Sequence, residues 1–259
     1  MSSDIVNLKE NPMDRKSRIV EANAATTMHQ LEDNSVQLII TDPPFGTNTT
    51  RTLNSNGVSY VDPGVDEVVS MVEDVLVELD RVLTNTGLAC ICLDYRAVHS
   101  VAIMAQEHAK LFGEIIWHFE SGSAAKKWWS NKHNTILLLS PRSSPLFNSD
   151  EVPTVPRKAP KPGYPKTKPV TSVWNINMST TDPQRVGYPN QKPLKLYERL
   201  IRVHSKPGDL VVDPFAGSGT IIEACLLNNR RFVAGDNSEL SVEKMSARQE
   251  RIEAKLRNL

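Results

Sequence analysis

The chain has 259 residues, with 30 Lys plus Arg against 30 Asp plus Glu and therefore a formal net charge of +0. It is 39% hydrophobic and 23% charged, the make-up of an ordinary globular protein, which excludes whole-chain disorder. No apolar run approaches the ~20 residues needed to span a bilayer, and the neutral balance excludes a uniformly basic nucleic-acid binder, so any such partner must meet a local basic patch.

In chain order, residues 18–21 form a short apolar-containing run, 24–31 fit a short helix and 32–35 a turn. Residues 36–41, Val-Gln-Leu-Ile-Ile-Thr, read as a buried strand. The polar stretch 46–64 reads as a long loop, which inside a compact domain is usually functional or disordered. Residues 65–83 carry Val65, Val68, Val69, Val72, Val75, Leu76, Leu79, Val82 and Leu83 at helical spacing, the stripe of one long core-facing helix. Asn85-Thr86-Gly87 ends it. A strand at 88–93, a helix at 96–111 and strands at 114–119 and 135–140 follow.

Composition then shifts. Residues 141–189 hold ten of the 17 prolines, and seven Lys or Arg (Arg142, Arg157, Lys158, Lys161, Lys166, Lys168, Arg185) against three acids (Asp150, Glu151, Asp182). This reads as a basic, extended insertion rather than a helix–strand unit. Helix and strand then alternate again: a helix at 193–204 with Pro193 in its first turn, a strand at 209–212, a helix at 220–228, a strand at 231–234 and a charged helix at 240–256. The expected fold is α/β, a Rossmann-like, mostly parallel sheet with helices on both faces. Such sheets bind ligands at the carboxyl ends of their strands. The division is a first half over 1–140, the insertion over 141–185 and a second half of the same core over 186–259.

Residues 1–10 are polar and lack the apolar region of a secretory signal. Cys90 and Cys92 alternate along one strand and face one side. With Cys225 they are expected to be buried, reduced thiols. The six histidines show no short ligand spacing, so no metal is expected. A cytoplasmic setting without a membrane partner follows.

Two segments carry chemistry. Asp213-Pro214-Phe215-Ala216-Gly217-Ser218-Gly219-Thr220 follows a strand and opens a helix, and its glycines allow close backbone approach to a ligand. Asp236 stands 23 residues beyond Asp213, just after the next strand, where nucleotide-binding folds hold ribose hydroxyls. Ile222 occupies the place of the third glycine of a dinucleotide fingerprint, and no Gly-Lys-Ser/Thr loop is present. A nucleoside without phosphates fits better than NAD or ATP, and S-adenosylmethionine is the common one. The second segment is Thr41-Asp42-Pro43-Pro44-Phe45-Gly46, directly after the buried strand. Successive prolines rigidify the turn and leave carbonyls free as acceptors. An acceptor side chain, a free carbonyl and an aromatic face are what methylation of an exocyclic base amine needs. Gripping the amine hydrogens localises its lone pair, and the ring stacks on the base for roughly 1–3 kcal/mol. Either segment alone also fits a plain structural turn.

Together, and in this order, they resemble the DNA amino-methyltransferases of adenine N6 and cytosine N4, in the permuted beta-type arrangement with Asp-Pro-Pro-Phe first and Phe-Ala-Gly-Ser-Gly late. The resemblance covers about residues 17–250. It includes Leu31-Glu32-Asp33-Asn34-Ser35-Val36, Arg81-Val82-Leu83 with Gly87, Trp117, Asn131-Lys132-His133, and Tyr188-Pro189-Asn190-Gln191-Lys192-Pro193. It implies catalysis by Asp42, Pro43, Pro44 and Phe45. It implies S-adenosylmethionine at Asn23, Asp42, Gln191, Lys192, Asp213, Phe215, Ala216, Gly217, Ser218, Gly219 and Asp236, with no metal. Asn23 stands where relatives often carry Asp, Phe45 where Tyr is commoner, Tyr188 where His is usual and Asn190 where Thr is usual. The implied partner is double-stranded DNA, with room for a homodimer and a cognate restriction endonuclease. Asp42 favours adenine over cytosine, since Ser is commoner there among cytosine-N4 enzymes. Action on RNA, a small-molecule methyltransferase and an inactive DNA-binding relative are the alternatives.

For DNA contacts, the expected residues are Lys126, Lys127, Trp128, Lys132 and His133, with Trp129 beside them, and Arg157, Lys158 and Lys161 in the insertion, which with Tyr164 and Trp174 is the expected target-recognition element, a surface linker being the alternative. Two readings of the tryptophans stand: a wedge near a flipped base, or packing beneath a loop.

Overall fold

The computed structural model describes residues 17–52, 59–120, 127–159, 163, 165–179, 181–188 and 190–258. β1 (Arg18–Glu21) leads through α1 (Ala24–His29) to β2 (Val36–Thr41). A hairpin of β3 (Thr47–Thr52) and β4 (Ser59–Gly64) follows. Next come α2 (Val65–Leu76), α3 (Leu79–Val82), β5 (Leu83–Leu93), α4 (Val98–Met104), β6 (Lys110–His118) and β7 (His133–Ser140). β8 (Thr154–Pro156) and β9 (Thr167–Pro169) form a second hairpin, and β10 (Val173–Asn175) follows. The chain closes with α5 (Leu194–His204), β11 (Leu210–Asp213), α6 (Thr220–Leu227), β12 (Arg231–Asp236) and α7 (Glu239–Arg257).

Eight strands make one sheet in the order β1-β12-β11-β2-β5-β7-β6-β10. All neighbours are parallel except β7, which runs antiparallel to both β5 and β6. The period-2 alternation of strands sorts side chains to two cores. Ala89, Ile91 and Leu93 face α1, α2 and α4, whereas Leu88, Cys90 and Cys92 face α5, α6 and α7. The three cysteines are buried free thiols, as their placement in apolar runs requires. Among the described residues no helix is long and apolar enough to cross a membrane.

The architecture is the expected one, with four local differences. The stretch 46–64 is not a loop but the β3–β4 hairpin, whose polar strands lack the apolar alternation that marks a half-buried strand. The long helix breaks at Val77 into α2 and α3. Leu79 and Val82 stay buried beyond the break, so the apolar stripe continues through it and hides it. The second helix ends at Met104, and β6 begins at Lys110. The proline-rich insertion does not stand apart. β10 joins the main sheet beside β6, and Trp174, Ile176 and Met178 are buried in the core, with the Arg199 guanidinium 4.6 Å from the Trp174 ring.

A candidate methyl-transfer cleft at the carboxyl edge of the sheet

Four adjacent parallel strands, β1, β12, β11 and β2, end at one edge of the sheet. Their carboxyl ends deliver Asn23, Asp236, the 214–218 turn and Asp42 to a single cleft of about 740 Å³, inside the range of about 300–1,000 Å³ for small-molecule sites. The two motifs lie on strands in contact: Thr41 Oγ1 donates to Asp213 Oδ1 at 2.8 Å across 172 residues of sequence.

The catalytic-type turn is held rigidly. Phe45 N–H donates to Asp62 Oδ1 at 2.8 Å and Thr47 N–H to Asp62 Oδ2 at 3.0 Å, so a buried carboxylate on β4 caps the turn. Gly46 has φ +72°, and a side chain there would press on Val65. Asp62 carries no sequence signal beyond its polar surroundings, and the sequence reading missed it. Asp42 pairs through Oδ2 with the Lys192 ammonium, which also donates to the Asn190 carbonyl at 3.1 Å. Asp42 Oδ1 is buried and has no hydrogen-bond partner among the described residues. Burial pushes the Asp42 carboxyl up from its ordinary value, and Lys192 opposes that shift.

The cofactor-type loop is equally fixed. Asp236 accepts the Gly217 N–H at 2.9 Å through Oδ2 and the Ser238 N–H at 3.0 Å through Oδ1. With the Ser241 side chain also at this carboxylate, acceptor capacity remains for a hydroxyl donor. Gly217 has φ +47°, and a Cβ there would meet the Tyr188 ring at 3.0 Å. Tyr188, another residue not assigned from sequence, thus closes over the turn and accepts a hydrogen bond from Ser241 Oγ at 2.9 Å. Asn23 Oδ1 caps α1 by accepting the Thr26 N–H at 2.8 Å, the ordinary duty of Asn at a helix start.

Several expected site residues are placed differently. Asn23, Asp42, Pro43, Pro44, Phe45, Gln191, Lys192, Phe215, Ala216, Gly217, Ser218 and Asp236 line the cleft. Asp213 does not. It is 1% exposed, and its oxygens are taken by Thr41, the Phe215 N–H and the Tyr197 hydroxyl. It braces the loop from behind. Gly219 is also behind the cleft, at φ +71°, where a Cβ would lie 2.9 Å from Met245. Gln191 lines the cleft, but its amide is spent on the Val186 N–H and the Gln184 carbonyl, which holds the 184–191 segment in shape.

Burial pushes Asp213 up to about 7. The folded protein therefore binds a proton there between about pH 4 and pH 7 that the unfolded chain has released, and stability falls as pH rises through that window. Asp213→Asn keeps an acceptor for Thr41 and Phe215 and offers the Tyr197 oxygen a donor. Urea denaturation from pH 4 to 8 should show a flatter pH slope in the variant; an unchanged slope would refute the assignment.

Of the expected DNA-contact and recognition residues, Lys126, Lys161 and Tyr164 lie outside the described residues. Lys127, Trp128 and Trp129 precede β7 and are exposed, the tryptophans by 82% and 88%. Packing beneath a loop is thereby excluded. Because β7 runs opposite to its neighbours, its start at His133 lies at the cleft edge, paired with His118 at the end of β6. Lys132 Nζ donates to the Glu120 carbonyl at 3.2 Å. Arg157 and Lys158 are exposed on the β8–β9 hairpin. The segment leading into that hairpin is tied to the opposite edge, through Leu146 N–H to Thr86 and Asn148 N–H to Val203. Prolines and charge cannot report which edge a hairpin grows from.

With this geometry in place, comparison with known proteins is informative. The family model described as DNA methylase, of the N6/N4 methyltransferase type, matches residues 36–247. Type II methyltransferase M.HpaI of Haemophilus parainfluenzae is 27% identical over 240 residues, covering 89% of this chain and 73% of that protein. DNA adenine methyltransferase YhdJ of Escherichia coli (strain K12) is 25% identical over 237 residues, covering 85% and 79% respectively. The solved structure of PvuII DNA methyltransferase (cytosine-N4-specific) superposes with a TM-score of 0.68 at 19% identity, over 93% of this chain and 94% of that one. The match of motif, fold and family model places this chain in the N6/N4 DNA methylase family.

Proposed function

We propose that the protein transfers a methyl group from S-adenosylmethionine to the exocyclic N6 amine of an adenine in DNA. The observation that carries this reading is the meeting of Asp42 and Phe45 with the 214–218 turn and Asp236 in one cleft. Adenine is favoured over cytosine by the carboxylate at position 42, and a relative named as an adenine methyltransferase supports it.

The residues present suit the cofactor. Asp236 has acceptor capacity for ribose hydroxyls, and the glycine turn admits a ligand close to its backbone. Bound S-adenosylmethionine supplies an electrophilic sulfonium methyl. The protein does the rest. The target base leaves the duplex, because its amine is out of reach inside it. Phe45 offers a ring to stack on. Asp42 Oδ1 and the Pro43 carbonyl accept the two amine hydrogens, which directs the nitrogen lone pair towards the methyl group; as the nitrogen–carbon bond formed, the sulfonium carbon–sulfur bond would break to leave S-adenosylhomocysteine, and the methylated, cationic amine would then lose one of its protons. Much of the rate then comes from holding the two reactants in line. Lys127 and His133 provide positive or hydrogen-bonding contact to phosphates at the cleft edge, and the exposed Trp128–Trp129 pair suits insertion or stacking beside the extruded base. Target recognition by the 141–185 segment belongs to its last part, which returns from β10 to the cleft edge, rather than to the β8–β9 hairpin.

The test is label transfer from S-adenosylmethionine to unmethylated bacterial DNA, followed by nucleoside mass spectrometry. N6-methyladenine is expected. N4-methylcytosine would overturn the base assignment and keep the mechanism. Label on neither base, with the cofactor bound, would reject the reading.

A further inference from the structure

Among the described residues, Lys192 is the cation that lines the cleft beside the Asp42 turn. Its side chain is 6% exposed, in contact with Asp42 Oδ2 and 3.1 Å from the Asn190 carbonyl. Its ammonium lies 4.7 Å from the Phe45 ring centroid and 5.9 Å from that of Trp117. The same carboxylate has a buried second oxygen without a nitrogen or oxygen hydrogen-bond donor among the described residues, and the Cys92 thiol is its neighbour. One oxygen is thus clamped and the other left open, on the side chain that must receive an amine hydrogen.

We propose that Lys192 is a positioning residue for Asp42: it clamps Oδ2, keeps the buried carboxylate ionised and acceptor-only, and leaves Oδ1 as the receptor for the target amine. This rests on the proposed role of Asp42 and departs from the family resemblance, which assigns Lys192 to the cofactor. A protonated Asp42 would turn one acceptor into a donor and repel the amine hydrogens. Removal of the cation leaves Asp42 in a setting that opposes charge. Among the described residues the other groups around Asp42 are Asp62 on β4, the Cys92 thiol on β5, Asp213 on β11 and the Tyr197 hydroxyl on α5, none of them a cation. Asn190, with φ +56°, turns its carbonyl onto the same ammonium and fixes where it can sit.

The experiment compares the wild-type protein with Lys192→Met and Lys192→Arg. Carbon-13 NMR follows the aspartate carboxyls against pH, with Asp42 identified by its loss in Asp42→Asn. Calorimetry follows S-adenosylmethionine binding, and turnover on DNA is measured at saturating cofactor. In Lys192→Met the Asp42 carboxyl should protonate at a pH higher by about one unit or more. Turnover near neutral pH should fall by about 100-fold with its acid limb displaced upward, while cofactor affinity changes little. Lys192→Arg should restore the Asp42 titration. An unmoved Asp42 titration in Lys192→Met would overturn the proposal. So would a loss of cofactor affinity of about tenfold or more with turnover unchanged at saturation, since Lys192 would then serve the cofactor. A wild-type protein that methylates no DNA would reject the proposed function, and the carboxyl titration would still decide what Lys192 does to Asp42.

Discussion

Replacing Asp42 with asparagine should reduce methyl transfer by about 10²–10³-fold, the scale set by one well-placed hydrogen-bonding group in a dry site. The shape of the side chain is kept, so the fold should survive. The amide oxygen will turn to Lys192, which occupies Oδ2 in the native protein. The amide nitrogen then takes the place of Oδ1 and presents two donors where the amine hydrogens must be received. Asp42→Ala is the harsher change, because it also strands the Lys192 ammonium at 6% exposure. Cofactor affinity should hold in Asp42→Asn, since Asp236 and the 214–218 turn are untouched. Turnover at saturating cofactor, with calorimetry for affinity, separates the two effects. Undiminished turnover in Asp42→Asn would remove Asp42 from the mechanism.

The largest loss of stability is expected from Glu223→Ala. Glu223 on α6 accepts from Arg248 at 2.7 Å and from Arg251 at 3.0 Å. The Arg248 side chain is 0% exposed. Truncating Glu223 leaves that guanidinium buried without its counter-charge, which costs about 3–5 kcal/mol. A typical domain has about 5–15 kcal/mol in total, so a large share of the stability is at stake. Arg248 also donates to the Gln184 carbonyl at 3.2 Å, and that carbonyl accepts from Gln191 at 2.7 Å. The pair therefore ties α6 and α7 to the segment that carries Lys192 into the cleft. The urea midpoint should fall steeply in Glu223→Ala and less in Glu223→Gln, which keeps an acceptor. The double variant Glu223→Leu with Arg248→Met removes both charges and should recover much of the loss. A midpoint unmoved in Glu223→Ala would show the ion pair to be idle.

These two residues differ in how far the sequence reveals them. Asp42 is legible because its chemistry is local: a buried strand, two prolines and an aromatic ring stand in one run, and a second run with two glycines follows another strand. The alternation of strands and helices is likewise a local property, set by period-2 and period-3.6 apolar spacing. From these the parallel sheet, its two cores and the roles expected of Phe215 to Ser218 and Asp236 follow. Glu223 and Arg248 are different. In the sequence they are ordinary charges on helices, and only the packing of α6 against α7 buries them together.

The same distinction runs through the site. Lys192 meets Asp42 across 150 residues of sequence, Asp62 reaches back 17 residues to cap the Phe45 turn, and Tyr188 closes over Gly217. No short-range pattern reports such contacts, because they depend on which strand edges come together. The β3–β4 hairpin lacks the apolar alternation that marks a strand, and the proline-rich segment contains an edge strand of three residues, β10, too short to show a period. The sequence by itself determined the class of fold and the chemical identity of the two motifs, since both are written in neighbouring residues. Only the tertiary structure decided that Asp213 and Gly219 stand behind the cleft, that Trp128 and Trp129 are exposed, and that Lys192 pairs with the Asp42 carboxylate, since burial and pairing are properties of the assembled sheet and its helices.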